Sequence, residues 1–379
     1  DQGTAMPDLP VTGHTSAGFE PVRDAFAANF RDDGELGAGF AVMLDGEVIV
    51  DLLGGWADRQ KTREWDARTL VPVYSTTKGI SALVLAALVA DLQAGYETRV
   101  AEIWPEFAAN GKDAVTIGEL TSHQAGLPGF MDEIDPDLWL DPSACAAAIA
   151  ALAPLWPPAS AHGYHPLTWG YLVGELARRI SGMTLGTWLR DKVCAPKGID
   201  FYIGLPASEH ARCADIRRPS ALPELGDMTE PKRAAFGTKW SSPNRGGAIW
   251  REIEIPSANG HGTAASIAAL YDAYAHGGTL AGMPLMPEQA FDALTCARVD
   301  GPDLVLNMST SFGAGIMRNS HGLFGPNTET VGHCGWGGSM AIADRDRRLT
   351  CAYVMNRQSN VLVGDPRAVR LVNAVYGCL

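Results

Sequence analysis

Hydrophobic and polar positions divide the chain into a short sheet-like start, a long helical middle and a sheet-like end. Residues 19–31 carry apolar side chains at helical spacing and stop at the breaker Asp32-Asp33-Gly34, which predicts an amphipathic helix. Two apolar runs, 39–44 and 48–53, then flank Asp45-Gly46, a strong short-range hairpin signal. Residues 70–74 are apolar and β-leaning, and an apolar helical run over 79–92 follows them. From there the chain is rich in Ala, Leu, Pro and Trp, with helical runs at 143–152, 168–179 and 263–276 and few strand signals. Strand-like segments return at 329–332, 339–342 and 350–355, and an amphipathic helix over 367–376 closes the chain.

A lone hairpin is marginal in water, so the N-terminal strands are expected to join the C-terminal ones in one antiparallel sheet, with the terminal helices packed on it. The expected fold class is α/β of the α+β type. Residues 1–65 and 285–379 together form a sheet domain, residues 66–284 form a mostly helical domain, and the active site lies in the cleft between them.

Composition narrows the partners. The 379 residues are 46% hydrophobic and 19% charged, an ordinary globular balance. A net charge of -13 argues against a nucleic-acid partner, which requires a basic patch. No apolar run reaches the roughly 18 residues that span a bilayer. The seven cysteines are scattered and contain no Cys-x-x-Cys pair, so neither a zinc site nor a redox pair is indicated, and buried reduced thiols are expected. That usage leans towards the cytoplasm. No signal-peptide pattern is visible at Asp1-Gln2-Gly3-Thr4, although one removed earlier would leave none, so export stays open. No cofactor or metal is expected, and the oligomeric state is not readable.

The chemistry begins at Ser75-Thr76-Thr77-Lys78, where the β-leaning stretch gives way to the helical run. Residues three apart share a helix face, so the lysine amine lies beside the serine hydroxyl. A serine is a poor nucleophile until a base takes its proton. A lysine desolvated between helix and sheet can serve, because burial disfavours its charged form. Only seven lysines occur, and Lys78 alone has a serine three residues before it. A capped helix start with an exposed lysine is the competing explanation, and the apolar flanks weigh against it.

Two further segments bear on this pair. Tyr164, in Ala161-His162-Gly163-Tyr164-His165-Pro166, is a candidate second proton carrier, provided nearby cations lower its pKa; an ordinary tyrosine in a Pro-rich loop fits the same residues. Gly332-His333-Cys334-Gly335-Trp336-Gly337-Gly338-Ser339 holds four glycines in its first seven residues, which suits a strand whose backbone approaches another group closely. Its edge can offer a backbone N–H to a substrate carbonyl; a bulged or bent strand is the alternative. There is no Gly-x-Ser-x-Gly elbow, no His-Glu-x-x-His and no phosphate-cradling glycine loop.

Taken in order, Ser75-Thr76-Thr77-Lys78, Tyr164-His165-Pro166 and His333-Cys334-Gly335 resemble the Ser-x-x-Lys, Tyr-x-Asn and Lys-Thr-Gly motifs of the serine β-lactamase and penicillin-binding-protein superfamily. Leu120-Thr121-Ser122-His123-Gln124-Ala125-Gly126-Leu127-Pro128 and Asn259-Gly260-His261-Gly262-Thr263-Ala264 are similar to segments of its esterase branch, the family VIII carboxylesterases. The resemblance implies the antiparallel sheet and helical domain of that fold. It also implies an acyl-enzyme on Ser75, with Lys78 and Tyr164 sharing the proton, an oxyanion hole from the N–H groups of Ser75 and Trp336, and supporting roles for His333, Gly335 and His165. Which of Lys78 and Tyr164 is the base is left open, since such a pair titrates as a unit.

Two departures bear on substrate. His333 stands for the family lysine that helps hold a β-lactam carboxylate, and Pro166 stands for the amide of Tyr-x-Asn. A neutral histidine keeps a hydrogen bond, with Tyr164 as one partner, but loses a fixed charge. The resemblance therefore implies hydrolysis of small, short-chain carboxylic esters with weak or absent β-lactamase activity. A β-lactamase, a D-Ala-D-Ala peptidase, an acyltransferase and a non-catalytic binding module are the alternatives. A narrow apolar acyl pocket beside Trp336 is a further expectation.

Overall fold

A computed structural model describes residues 9–379, and the first eight residues, including the Asp1-Gln2-Gly3-Thr4 start that bears on a signal peptide, lie outside it. The dominant element is a nine-stranded antiparallel sheet. Its strands are β1 (Val11–Thr15), β2 (Gly37–Leu44), β3 (Glu47–Gly55), β9 (Val299–Pro302), β10 (Ser309–Phe312), β11 (Met317–Arg318), β12 (Val331–Cys334), β13 (Met340–Asp344) and β14 (Leu349–Met355). They lie in the order β1-β3-β2-β14-β13-β12-β11-β10-β9. The N-terminal hairpin thus joins the C-terminal strands through β2 and β14, where Ala41 pairs with Ala352 and Phe40 with Tyr353. Asp45 and Gly46 both take positive φ, 51° and 81°, as a tight hairpin turn requires.

Alternation along these strands decides what covers each face. Phe40 and Val42 of β2, Ile342 of β13 and Cys351 and Tyr353 of β14 share a core with Val22 and Phe26 of the N-terminal helix (Glu20–Asp32) and Leu371, Val372 and Val375 of the C-terminal helix (Pro366–Gly377). The intervening positions Ala41, Ala341, Ala343 and Ala352 are small, and they face the alanine-rich helix Ala264–Ala275 on the other side. That helix falls inside the segment read as the helical half, yet it packs directly on the sheet.

Three short strands, β4 (Val71–Pro72), β5 (Phe201–Ile203) and β6 (Gly260–Gly262), form a second sheet in the order β4-β6-β5, and β7 (Thr279–Leu280) pairs with β8 (Met283–Pro284). β4 delivers the chain into a turn of 3-10 helix (Tyr74–Thr76) and then the helix Thr77–Val89. All thirteen residues of that helix are buried, as expected of a helix that is apolar on every face. It runs between the sheet and the helix Thr168–Ser181. None of the described helices is long and apolar enough to cross a membrane. Cys145, Cys194, Cys213, Cys334 and Cys351 are buried free thiols, while Cys296 is exposed and Cys378 partly so.

Candidate active site

Ser75 enters on a forced backbone. Tyr74, immediately before it, has φ +47°, a region that a bulky side chain rarely adopts. The segment is fixed from both sides. Val73 N–H donates to Gly260 O at 2.9 Å, Gly260 N–H donates to Thr77 Oγ1 at 3.0 Å, and the Tyr271 hydroxyl donates to Thr76 O at 2.6 Å. Backbone strain held by its surroundings in this way is common at functional sites.

Lys78 lies one helical step on, with its side chain fully buried. Its Nζ is 2.9 Å from Ser75 Oγ and 2.8 Å from the Tyr164 hydroxyl. It also donates to two backbone carbonyls, Pro166 O at 2.7 Å and Ser257 O at 3.1 Å. No carboxylate is among its partners, and desolvation holds its pKa well below that of an ordinary lysine. Carbonyls only accept. They can engage two N–H bonds of a neutral amine and leave its lone pair to accept the Ser75 hydroxyl proton.

Tyr164 reaches the pair from the loop before helix Thr168–Ser181. Its hydroxyl donates to Ser75 Oγ at 2.6 Å, closing a triangle of Ser75, Lys78 and Tyr164. Its ring lies parallel to Phe312 at 6.1 Å, and its backbone N–H donates to Asp303 Oδ1 at 3.0 Å. Burial raises the phenol above its ordinary pKa, with Ser75 opposing, so Tyr164 is a neutral phenol at physiological pH. The cation-lowered tyrosine considered from the sequence is not what forms.

The glycine-rich segment lies against the serine. Ser339 Oγ donates to Val73 O at 2.8 Å and meets Thr76 Oγ1 at 2.9 Å, tying the turn after β12 to the start of the serine helix. A Cβ on Gly335 would fall 2.2 Å from Ser339 Oγ and 2.3 Å from Val73 O, so only glycine permits this approach. Among the described residues, the backbone N–H groups of Ser75 and Trp336 meet no hydrogen-bond acceptor. The Trp336 ring packs edge-on against Tyr74, 5.6 Å away, and Tyr74 packs in turn against Trp250.

The two site histidines named from the sequence, His333 and His165, are buried, and burial lowers the pKa of each. His333 Nδ1 is 2.9 Å from Cys334 O and donates to it, which leaves Nε2 as a lone pair without a partner. Its ring is 6.0 Å from that of Tyr164, and the hydrogen bond between them anticipated from the sequence does not form. Burial and then Lys78 lower His333 to about 3. His165 braces the loop: Nε2 accepts from Leu127 N–H at 3.0 Å and Nδ1 donates to Gly163 O at 2.6 Å. Burial lowers its pKa to about 4.

Three further features support the site: two carbonyls and an aspartate that carry no sequence signal, and His123, a hydrogen-bonding loop histidine by its sequence setting. The carbonyls of Pro166 and Ser257 leave no residue-type signature. His123 accepts from His165 N–H through Nδ1 at 3.0 Å, lies tilted against Tyr164 and meets Phe312 edge-on. Its φ of +65° is invisible in a sequence. Asp303 ties the tyrosine loop to Thr310, Val305 and Leu306. Among the described residues no group of three or more His, Cys, Asp or Glu side chains gathers as a metal site.

Relatives share both the fold and the span. A sequence model of the Beta-lactamase family matches residues 23–374. The esterase/beta-lactamase LipL of Mycobacterium tuberculosis is 33% identical over 368 residues, covering 93% of this chain and 84% of that protein. A penicillin-binding protein homolog from Caulobacter crescentus is 52% identical with a TM-score of 0.95, over 98% of this chain and 100% of the other. The crystal structure of a family VIII carboxylesterase is 39% identical with a TM-score of 0.91, over the same shares. With the family match running through nearly the whole chain, from the N-terminal helix to the C-terminal one, this protein belongs to the beta-lactamase family.

Proposed function

We propose that the protein is a serine carboxylesterase that hydrolyses small, short-chain carboxylic esters through an acyl-enzyme on Ser75. The observation that carries this reading is the disposition of Lys78. Its two N–H bonds are taken by Pro166 O and Ser257 O, and its remaining direction faces Ser75 Oγ and the Tyr164 hydroxyl. Lys78 is therefore assigned as the base and Tyr164 as the shuttle. The cleft between the sheet part (1–65 and 285–379) and the middle part (66–284) is where we place the substrate.

In the first half-reaction Ser75 Oγ attacks the ester carbonyl carbon while its proton moves to Lys78 Nζ. The carbonyl oxygen becomes an oxyanion held by the free N–H groups of Ser75 and Trp336. The carbon–oxygen bond to the alcohol then breaks. Tyr164 gives its proton to the departing alkoxide and takes one from the Lys78 ammonium, which restores the neutral amine. Water attacks the acyl-enzyme by the same proton route in reverse and releases the acid.

The names of two relatives, an esterase/beta-lactamase and a family VIII carboxylesterase, support an ester substrate. His333, neutral and lacking a fixed charge, and Pro166, which presents only a carbonyl, support weak or absent turnover of β-lactams. The aromatic wall of Trp336, Tyr74 and Trp250 supports a short acyl chain.

The test is labelling with a phosphonate ester followed by peptide mass spectrometry, beside turnover of aryl esters by wild type and Ser75→Ala. A single adduct on Ser75 and an inactive variant are expected. An adduct elsewhere, or an active Ser75→Ala, refutes the assignment, and a chromogenic cephalosporin turned over as fast as esters reverses the substrate ranking.

A further inference from the structure

A cation without an anion stands at the edge of this site. The Arg245 guanidinium carbon lies 4.0 Å from the centre of the Trp336 ring and 5.9 Å from that of Tyr74. These two aromatics adjoin Ser75 and Gly335 in the chain, so the charge sits over the aromatic wall beside the serine. Arg218 stands beside it and donates from its guanidinium to Arg245 O at 3.2 Å.

Neither guanidinium forms an ion pair among the described residues, whereas Arg212, Arg345 and Arg367 each meet a carboxylate. The Arg245 guanidinium also lacks any hydrogen-bond acceptor there. The chain carries 43 acidic against 30 basic side chains, yet among the described residues none of those acids meets either guanidinium. Burial, opposed by Tyr74 and reinforced by the positive charge of Arg218, holds Arg245 below its ordinary pKa. The indole N–H of Trp336, under the same guanidinium, is buried and has no acceptor either.

Stacking on Trp336 accounts for where the planar group lies. It does not account for the missing counter-charge. Arginine presents a rigid fork of donors that fits a carboxylate with two parallel bonds. The segment that carries Arg218 is held in place: Arg217 N–H donates to Asn356 O at 2.8 Å, Gln358 N–H donates to Arg217 O at 2.8 Å, and Gln358 Nε2 donates to Trp336 O at 3.1 Å. Arg218 is thus built onto the same frame as Trp336, and its guanidinium reaches from there to Arg245 O.

We propose that Arg245, with Arg218 beside it, binds a carboxylate carried by the ester, so that the enzyme favours negatively charged esters over neutral ones. The proposal rests on the reading of Ser75 as the nucleophile of an ester hydrolase. The cation stands over Trp336, not at position 333, where the family resemblance would place a lysine. The carboxylate can belong to the acyl side, as in a half-ester of a dicarboxylic acid, or to the alcohol side, as in an acylated hydroxy acid.

The experiment compares kcat/KM within two matched pairs, each corrected for spontaneous hydrolysis. The acyl-side pair is the para-nitrophenyl half-ester of adipic acid against para-nitrophenyl hexanoate. The alcohol-side pair is para-acetoxybenzoate against phenyl acetate. Wild type is expected to prefer the charged member of one pair by about tenfold or more, and that pair identifies the side. The preference shrinks as salt is raised. It falls to near parity in Arg245→Gln and is partly retained in Arg245→Lys. No preference in either pair, or a preference that Arg245→Gln leaves intact, overturns the proposal. Absence of turnover of all four esters by wild type instead overturns the ester-hydrolase reading, so the two failures are distinguishable.

Discussion

The carbonyl oxygen of Pro166 accepts a hydrogen bond from Lys78 Nζ at 2.7 Å. With Ser257 O at 3.1 Å, it orients a buried amine that has no carboxylate to keep it charged. A side-chain amide at position 166 would add a partner, but the backbone already supplies the acceptor.

The pH dependence of catalysis follows from this arrangement. Burial depresses the Lys78 pKa, so the reactive, unprotonated amine is gained as pH rises through an ionisation well below an ordinary lysine's. A kcat/KM profile for a neutral aryl ester should rise through that ionisation and then level off. Lys78→Arg, which stays protonated, should lose about 100- to 10,000-fold in kcat/KM. A rising limb near the ordinary lysine value of about 10.4 would contradict the assignment of Lys78 as base.

Tyr164 separates the base from the shuttle. Its hydroxyl is 2.6 Å from Ser75 Oγ, and burial keeps it protonated. Tyr164→Phe should lower kcat by about 100-fold or more while the pH limb assigned to Lys78 persists. The loss should shrink for esters with good leaving groups, whose alkoxides need no proton. If the limb disappears with the hydroxyl, the tyrosine is the titrating group.

The parts of the fold legible in the sequence are those with local signatures. Asp45-Gly46 marks its hairpin because both residues must take positive φ, and the terminal helices show through their apolar stripes. Ser75 and Lys78 share a helix face, so their spacing alone brings them together. Strands β9, β10 and β11 are only two to four residues long and rich in Ser, Thr, Gly and Pro, with too little alternation to register. The strand anticipated at 329–332 begins two residues later, at Val331, where pairing with β13 starts. Lys78's acceptors and the Ser339 clamp are backbone or long-range contacts, and nothing in local composition encodes either.

His333 should make the fold sensitive to acid. Its folded pKa of about 3 lies below the unfolded value, so the unfolded chain binds the extra proton. Stability is therefore lost as pH falls from the unfolded value near 6.5 towards about 3, at roughly 1.4 kcal/mol per pH unit. Raised carboxyls such as Glu35, which burial lifts to about 7 against Arg367, act in the opposite sense and mask the total. Urea unfolding of wild type and His333→Gln at pH 7.5 and pH 5 isolates the residue, and wild type should lose about 2 kcal/mol more. Equal losses would mean that His333 is protonated in the fold.

Trp336 should set the acyl-length limit. Its partly exposed ring packs edge-on against Tyr74, 5.6 Å away, the residue immediately before Ser75. Trp336→Ala should raise kcat/KM for para-nitrophenyl octanoate relative to acetate by about tenfold. An unchanged length profile would place the acyl chain elsewhere.

Gly335 offers a test of the oxyanion site that leaves every polar side chain in place. A Cβ there would lie 2.2 Å from Ser339 Oγ and 2.3 Å from Val73 O, so the turn must move away from the serine segment to accept it. The movement carries the adjoining Trp336 N–H with it, while Ser75, Lys78 and Tyr164 keep their own anchors in other elements. Gly335→Ala should therefore lower kcat by about 100- to 1000-fold, the usual cost of a lost oxyanion donor. Phosphonate labelling of Ser75 should slow in parallel, because that adduct forms through the same oxyanion geometry. Circular dichroism should show the secondary structure intact. A folded Gly335→Ala with undiminished kcat would mean that the Trp336 N–H takes no part in holding the oxyanion.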